Sequence, residues 1–263
     1  MDGTVEAHRH YRQNGYLFLP RFFDPGLIVA WEPICDRIFA QWLANHHTSY
    51  INDRLINMHS LSDPAYFADR EAERIVFFNV LANGKLVQLC AELFGSGLYF
   101  HNTQLFFNPA DRDKPAYWHR DLQYTGIQES EQMALLPRLL NLHARVALIP
   151  ERGFELVLQT HRRWDTAHER AVRLQLDGHT NNEPLPDAVR LDLEPGDLLI
   201  FNAHMLHRGN YALNTARKAL DILVGLPHPL MTQWLDGRLL PTRDEIERID
   251  FSQWYRNAWD VLG

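Results

Sequence analysis

At about residue 98 the apolar period of this chain changes from that of a helix to that of a strand, and the switch restricts the folds open to it. Before it, DPGLIVAWEPICDRIFAQWLANHH (24–47) opens with Asp24 and Pro25 as a cap and first-turn pair and carries Trp31, Ile34, Ile38 and Trp42 at helical spacing. NGKLVQLCAELFG starts at Asn83 as a cap and stops at Gly95. After the switch, LYFHNTQLFFN, NLHARVALIP, GFELVLQTH, VRLDL, DLLIFN and ARKALDILVGLP read as short strands between turn-rich segments. The tail TRDEIERIDFSQWYRNAWDVL returns to a helical period, with Ile246, Ile249, Trp254 and Trp259 for packing. Short strands after a helical start predict an α+β fold, a β-sandwich or barrel backed by N-terminal and C-terminal helices. No repeat, low-complexity tract or Gly/Ser linker divides the chain. We therefore read one domain over 1–263: mainly helical support over 1–97, a β-barrel core over 98–227 and a helical tail over 228–263.

Alternation within the strands separates two faces. In NLHARVALIP, Leu142, Ala144, Val146 and Leu148 share one face, and Asn141, His143 and Arg145 the other. In ARKALDILV, Arg217, Ala219 and Asp221 oppose Lys218, Leu220, Ile222 and Val224. If the apolar faces pack on the helices, the polar faces line a cavity; a solvated strand face is the alternative.

Charge and composition exclude several functions. The chain carries 26 Lys plus Arg against 33 Asp plus Glu, net −7, which argues against nucleic-acid binding. The polar start MDGTVEAHRHYRQ lacks the apolar core of a signal peptide, and no apolar run reaches membrane-spanning length. A cytoplasmic protein without membrane insertion is expected. Cys35 and Cys90 have no partner at metal-site spacing and read as buried reduced thiols. Oligomeric state is not legible.

The chemistry concentrates in two segments. In AYWHRDLQYTG (116–126), His119 and Asp121 stand two apart, so on an extended strand they project together while Arg120 points away. EPGDLLIFNAHMLHRGNYALNTARKALDI offers His204 and His207 after a Gly-Asp turn, then Arg217. An H-x-D pair with one distant histidine makes the 2-His-1-carboxylate triad of non-haem Fe(II) oxygenases, which leaves positions open on an octahedral metal. A cross-strand polar pair is the bland alternative for His119 and Asp121, and a surface salt bridge for Arg217.

These segments in this order resemble the phytanoyl-CoA dioxygenase family of Fe(II)/2-oxoglutarate oxygenases: WHRDLQ as the H-x-D element, EPGDLLIFNAHMLHRGNY as the strand with the distal histidine, Arg217 ten residues after His207, and YRQNGYLFLPRFFDPGL as the family's opening. The resemblance covers nearly the whole chain. It implies a double-stranded β-helix, the jelly-roll or cupin-like barrel. It implies His119, Asp121 and His207 as iron ligands, with His207 preferred over His204 for its His-Arg-Gly-Asn context. Arg217 would take the distal carboxylate of 2-oxoglutarate, with Gln104 a candidate for its other end and Thr215 for an added hydroxyl.

The chain also departs from the family. Leu158-Gln159-Thr160-His161 replaces a common Pro-Gly-Ser-His, and Gly209 stands where a small hydroxyl residue is often found.

The resemblance implies Fe(II), 2-oxoglutarate and O2 as metal and cosubstrates, and hydroxylation of an unactivated C–H bond with release of succinate and CO2. The retained Asp121 argues for hydroxylation over halogenation. Asn141, His143, Arg145 and Asp221 are candidate substrate contacts, and residues 123–139 a candidate lid. Arg120, Arg138, Arg145, Arg162 and Arg163, placed near the barrel mouth, suggest an anionic or polyhydroxylated small molecule. Trp118 and Trp164 read as packing. Nothing resembles a coenzyme A site. A cupin-like metal- or sugar-binding barrel without redox turnover is the alternative, and a partner-binding barrel with a vestigial site is a third reading.

Overall fold

The structure is a computed structural model describing residues 2–111 and 113–263. Strands β1 (Tyr16–Leu19), β2 (Asn57–His59), β3 (Tyr99–Phe106), β4 (Asn141–Ala147), β5 (Glu151–Val157), β6 (Ala188–Leu193), β7 (Leu198–Asn202), β8 (His207–Arg208) and β9 (Ala219–Gly225) form two antiparallel sheets. The larger runs β1-β7-β4-β9-β3-β2 and the smaller β6-β5-β8. Helices α1 (Asp2–Asn14), α2 (Pro25–Asn52), α3 (Glu71–Leu81) and α4 (Gly84–Phe94) precede the barrel strands; α5 (Glu129–Leu135) and α6 (Ala167–Leu174) interrupt them; α7 (Pro229–Thr232), α8 (Arg243–Ile246) and α9 (Gln253–Leu262) follow. This is the helix-backed jelly roll expected from the sequence.

Strand β7 shows why both sheet faces are dry. Leu198 and Ile200 join the large core under the helices, with Leu142, Ala144, Val146, Leu220, Ile222 and Val224 from neighbouring strands. Leu199 and Phe201, one residue out of phase, enter the second core between the sheets with Phe154, Leu156 and Met205. A strand covered on both faces is apolar throughout, which is the pattern of LLIF. Trp31, Ile34, Ile38 and Trp42 of α2 belong to the helical core, as do Ile246, Ile249 and Trp254 of the tail. Asn83 caps α4 by accepting from the Lys85 N–H, and Gly95 ends it at φ 87°.

Several boundaries differ from the expectation. The helical part contributes β1 and β2, one to each edge of the larger sheet. Helix α2 runs on to Asn52 through a kink at His46. The tail is two helices, broken between Ile246 and Gln253. Strand β3 carries a bulge between Phe100 and Asn102, where His101 is the extra residue. No single helix among the described residues is long and apolar enough to cross a membrane.

Candidate active site

His119, Asp121 and His207 meet at one end of the barrel. Asp121 Oδ1 lies 3.8 Å from His119 Nε2 and 3.6 Å from His207 Nε2, and one donor atom from each residue lies within 4.8 Å of the others. The H-x-D element is not a full strand. His119 makes a single antiparallel bridge with His207, and Asp121 opens a 3-10 turn. The alternation nevertheless holds across these three residues, because Arg120 is extended and its side chain leaves in the opposite direction.

The donors suit a cation. His119 Nδ1 lies 3.2 Å from the Tyr117 carbonyl and His207 Nδ1 3.0 Å from that of Met205. A carbonyl only accepts, so each Nδ1 carries the hydrogen and each Nε2 turns a lone pair toward the centre of the group. Burial pushes both imidazoles below their ordinary pKa and keeps them neutral. Burial alone would raise the Asp121 carboxyl, but the hydrogen bond from His143 and the positive charge of that imidazole outweigh it and hold the group ionised.

Behind Asp121 runs a buried chain of alternating acids and bases. Asp121 Oδ2 lies 2.9 Å from His143 Nε2, and His143 Nδ1 2.7 Å from Asp221 Oδ2. Asp221 Oδ1 accepts from Arg145 at 2.7 Å, Arg145 donates two bonds of 2.8 Å to Glu151, and Glu151 accepts from Arg217 Nε at 2.5 Å. Burial disfavours a charged His143, yet its two carboxylate partners raise its pKa to about 9. Burial likewise opposes ionised Glu151, and the Arg145 and Arg217 charges bring it down to about 2. Six charges thus alternate and sum to zero, which is how a dry barrel tolerates them.

This arrangement reassigns three residues. His143, Arg145 and Asp221 are at most 1% exposed, and their polar atoms are committed to one another and to Asp121 and Glu151. They have nothing left to offer a substrate. They reach cavity walls, His143 that of the larger cavity and Arg145 and Asp221 that of the recess at Arg217, but with their hydrogen bonds already spent; Asn141 lines the neighbouring cavity, with its Oδ1 2.9 Å from His204 Nε2. Glu151 had no functional reading in the sequence, where IPERGF looks like a turn.

Arg217 closes the chain at the far side of the histidines. Its guanidinium lies over the rings of Phe106 and Tyr211, 5.2 and 5.5 Å from their centroids. Its Nη1 is buried without a hydrogen-bond partner. Gly209 lets it sit there, because a Cβ at that position would collide with the guanidinium. A cavity of about 360 Å³, lined by Gln104, Tyr117, His119, Asp121 and His207, adjoins a narrow recess of about 20 Å³ that shares His119 and His207 and ends at Arg217. Thr215 does not join this group. It is exposed, and the buried residue of that turn is Asn214, which holds the loop through Arg152 and the Asn210 carbonyl.

The other arginines do not border the mouth as free cations. Arg120 is fully buried, bonded to Asp165 and to the carbonyls of Thr160, His204 and Arg163. Arg163 pairs with Glu169, and Arg138 and Arg162 are exposed outside the cavities described here. The departure at Leu158–His161 is a structural turn. Gln159 takes a left-handed φ of 66°, and the Thr160 hydroxyl donates to Val157 and accepts from the Leu206 N–H. Trp118 and Trp164 pack, as read from the sequence.

A second cavity of about 240 Å³ opens beside Asp121, lined by His101, Asn102, Gln104, Asn141 and His204 and walled by Val224 and Met231. Burial brings His101 and His204 down to about 4. The unfolded chain, with ordinary histidines near 6.5, then binds more protons than the folded one between these values, so stability falls as pH falls through that window. Urea midpoints measured from pH 7 to pH 4.5 should decline, and less steeply in His204→Gln. Equal slopes would mean His204 is not held neutral.

A jelly roll with a His-Asp-His cluster at its cavity is the architecture of the iron- and 2-oxoglutarate-dependent dioxygenases. The sequence signature of the phytanoyl-CoA dioxygenase (PhyH) family matches residues 11–219, and the chain belongs to that family. It is 19% identical over 243 residues to the ectoine dioxygenase of Sphingopyxis alaskensis, covering 85% of this chain and 76% of that protein. The crystal structure of EctD from S. alaskensis in its apo form superposes with a TM-score of 0.60 at 14% identity, over 89% of this chain and 80% of that one. HygX from Streptomyces hygroscopicus, with nickel and 2-oxoglutarate bound, gives 0.59 at 14% identity, over 84% and 86%. The chain is thus a dioxygenase of the class that uses iron, 2-oxoglutarate and O2.

Proposed function

We propose that the chain hydroxylates an unactivated C–H bond of a small molecule, R–H + 2-oxoglutarate + O2 giving R–OH + succinate + CO2, with His119, Asp121 and His207 holding Fe(II). The observation that carries the reading is Arg217 Nη1, a buried cationic donor without a partner at the end of a recess that His119 and His207 also line. A buried donor left unpaired is unfavourable, and a carboxylate is the group that a guanidinium fork binds best.

When bound, iron would supply open positions on which the 2-oxo acid and dioxygen react together. The protein's own residues do the rest. The two Nδ1 hydrogen bonds fix which ring nitrogen faces the metal, and His143 holds Asp121 Oδ2 so that Oδ1 is the oxygen presented. Glu151 fixes Arg217 through Nε and leaves Nη1 for the distal carboxylate of 2-oxoglutarate. Gln104, on the wall shared by both cavities, is placed for the cosubstrate or for the substrate beside it. Asp121 would serve as the third protein ligand, where a halogenase would need room for a halide.

The test is an anaerobic titration with Fe(II) and 2-oxoglutarate, followed by the visible charge-transfer band of a chelated 2-oxo acid. The band should appear in the wild type and be lost in His207→Ala. Its absence from folded wild-type protein, or its survival in the variant, would overturn the assignment.

A further inference from the structure

The second cavity beside Asp121, of about 240 Å³, has an unusual charge character. Among the described residues, the lining of the 240 Å³ cavity includes no lysine, arginine or glutamate, and its only carboxylate is Asp121. Apart from Asp121, its polar surface is amide (Asn102, Gln104, Asn141), hydroxyl (Thr125, Tyr124) and imidazole (His59, His101, His204). The bulge in β3 is what brings adjacent His101 and Asn102 both to this wall, where strict alternation would give one of them to the opposite face.

His204 adds a second observation. It is 1% exposed, its Nε2 lies 2.9 Å from Asn141 Oδ1, and its Nδ1 has no hydrogen-bond partner. With Nε2 donating to the amide oxygen, Nδ1 is a bare acceptor. Such an atom calls for an O–H or N–H donor from a ligand, which an ionised carboxylate group does not bring. Two aromatic rings stand exposed at the rim, Tyr124 at 61% and Trp234 at 56%, carried by the turn after the H-x-D element and by the turn after α7. Aromatic faces beside amides and imidazoles suit a ligand with one apolar face and a hydroxylated edge.

We propose that this cavity binds the substrate and selects an uncharged ring compound bearing several hydroxyl or N–H donors, a neutral cyclic polyol or glycoside, against its anionic analogues. The proposal rests on the oxygenase reading for the reaction, but not for the binding. The volume fits: at roughly 30 Å³ per liquid water, the cavity of about 240 Å³ holds one substituted ring. An added carboxylate or phosphate would be buried beside Asp121 without a counter-cation. Low pKa values at His101 and His204 act in the same direction, since neutral imidazoles offer no compensating charge.

The test is calorimetric titration of the metal-free chain with two matched pairs, methyl glucopyranoside against methyl glucuronide and myo-inositol against inositol monophosphate. At least one neutral member should bind in the millimolar range, and about tenfold tighter than its anionic partner, or about 1.4 kcal/mol. His204→Phe and Gln104→Leu should each weaken that binding while leaving the circular dichroism and urea midpoint near wild type. Gln104→Arg, which puts a cation on the wall, should invert the preference within the pair. Anionic members binding as tightly as neutral ones, or no neutral member binding at all, would overturn the proposal. Because no metal is added, a ligand that binds here while the Fe(II)–2-oxoglutarate band fails to form would sink only the oxygenase assignment.

Discussion

Glu151→Leu is expected to lower stability by about 3–5 kcal/mol, the cost of breaking a buried ion pair by removing one partner. For a chain of this length that corresponds to a fall in Tm of about 10 °C. Glu151 accepts both Arg145 bonds and the Arg217 bond, so its loss leaves the chain with one uncompensated positive charge and two buried guanidinium groups, of which only Arg145 still meets a carboxylate, that of Asp221. Glu151→Gln, which keeps the shape and some of the hydrogen bonding but not the charge, should fall between the wild type and Glu151→Leu. Thermal and urea denaturation of the metal-free proteins checks both. A Glu151→Leu protein within 1 kcal/mol of the wild type would show that the chain of charges contributes nothing net to folding.

Arg217→Met should raise the dissociation constant for 2-oxoglutarate by about 100-fold, equivalent to about 2.7 kcal/mol. The fold should tolerate this change better than the loss of Glu151, because Glu151 keeps both bonds from Arg145. Fe(II) affinity measured without the cosubstrate should stay within a few-fold of wild type, which separates loss of the cosubstrate clamp from collapse of the metal cluster. Arg217→Lys should recover part of the affinity, as a point charge without the fork. Unchanged 2-oxoglutarate affinity in Arg217→Met would mean that another cation takes the carboxylate.

The parts of this site that the sequence made legible are those written in a local period. Alternation in β4 and β9 separated Leu142, Ala144, Val146, Leu220, Ile222 and Val224, which pack under the helices, from His143, Arg145 and Asp221, which turn inward. The same rule sent Arg120 away from its neighbours. What alternation cannot supply is the partner of an inward side chain. His143, Arg145 and Asp221 looked like substrate contacts because a polar face aimed at a cavity is compatible with either a ligand or another buried charge. Glu151, which decides between them, lies 66 residues from Arg217 and reads locally as a turn. The arginines proposed for the mouth failed for the same reason: Arg120 finds Asp165 across 45 residues. One inserted residue at His101 changes the face assignment of β3, and β1 and β2, four and three residues long, are too short for a period to register. Thr215 is near Arg217 in sequence yet exposed, because nearness along the chain is a poor guide inside a turn.

The bridge between the two histidines has a dynamic consequence. His119 N–H donates to the His207 carbonyl at 3.1 Å, and His207 N–H returns the bond to His119 at 3.0 Å, so the same two residues present the paired imidazoles and stitch an irregular segment to the edge of β8 by a single isolated bridge. A ladder that short opens locally without global unfolding. The amides of His119 and His207 are therefore a built-in gauge of how often the cluster comes apart, and their hydrogen-exchange rates report its integrity in the resting protein without turnover, cosubstrate or chromophore.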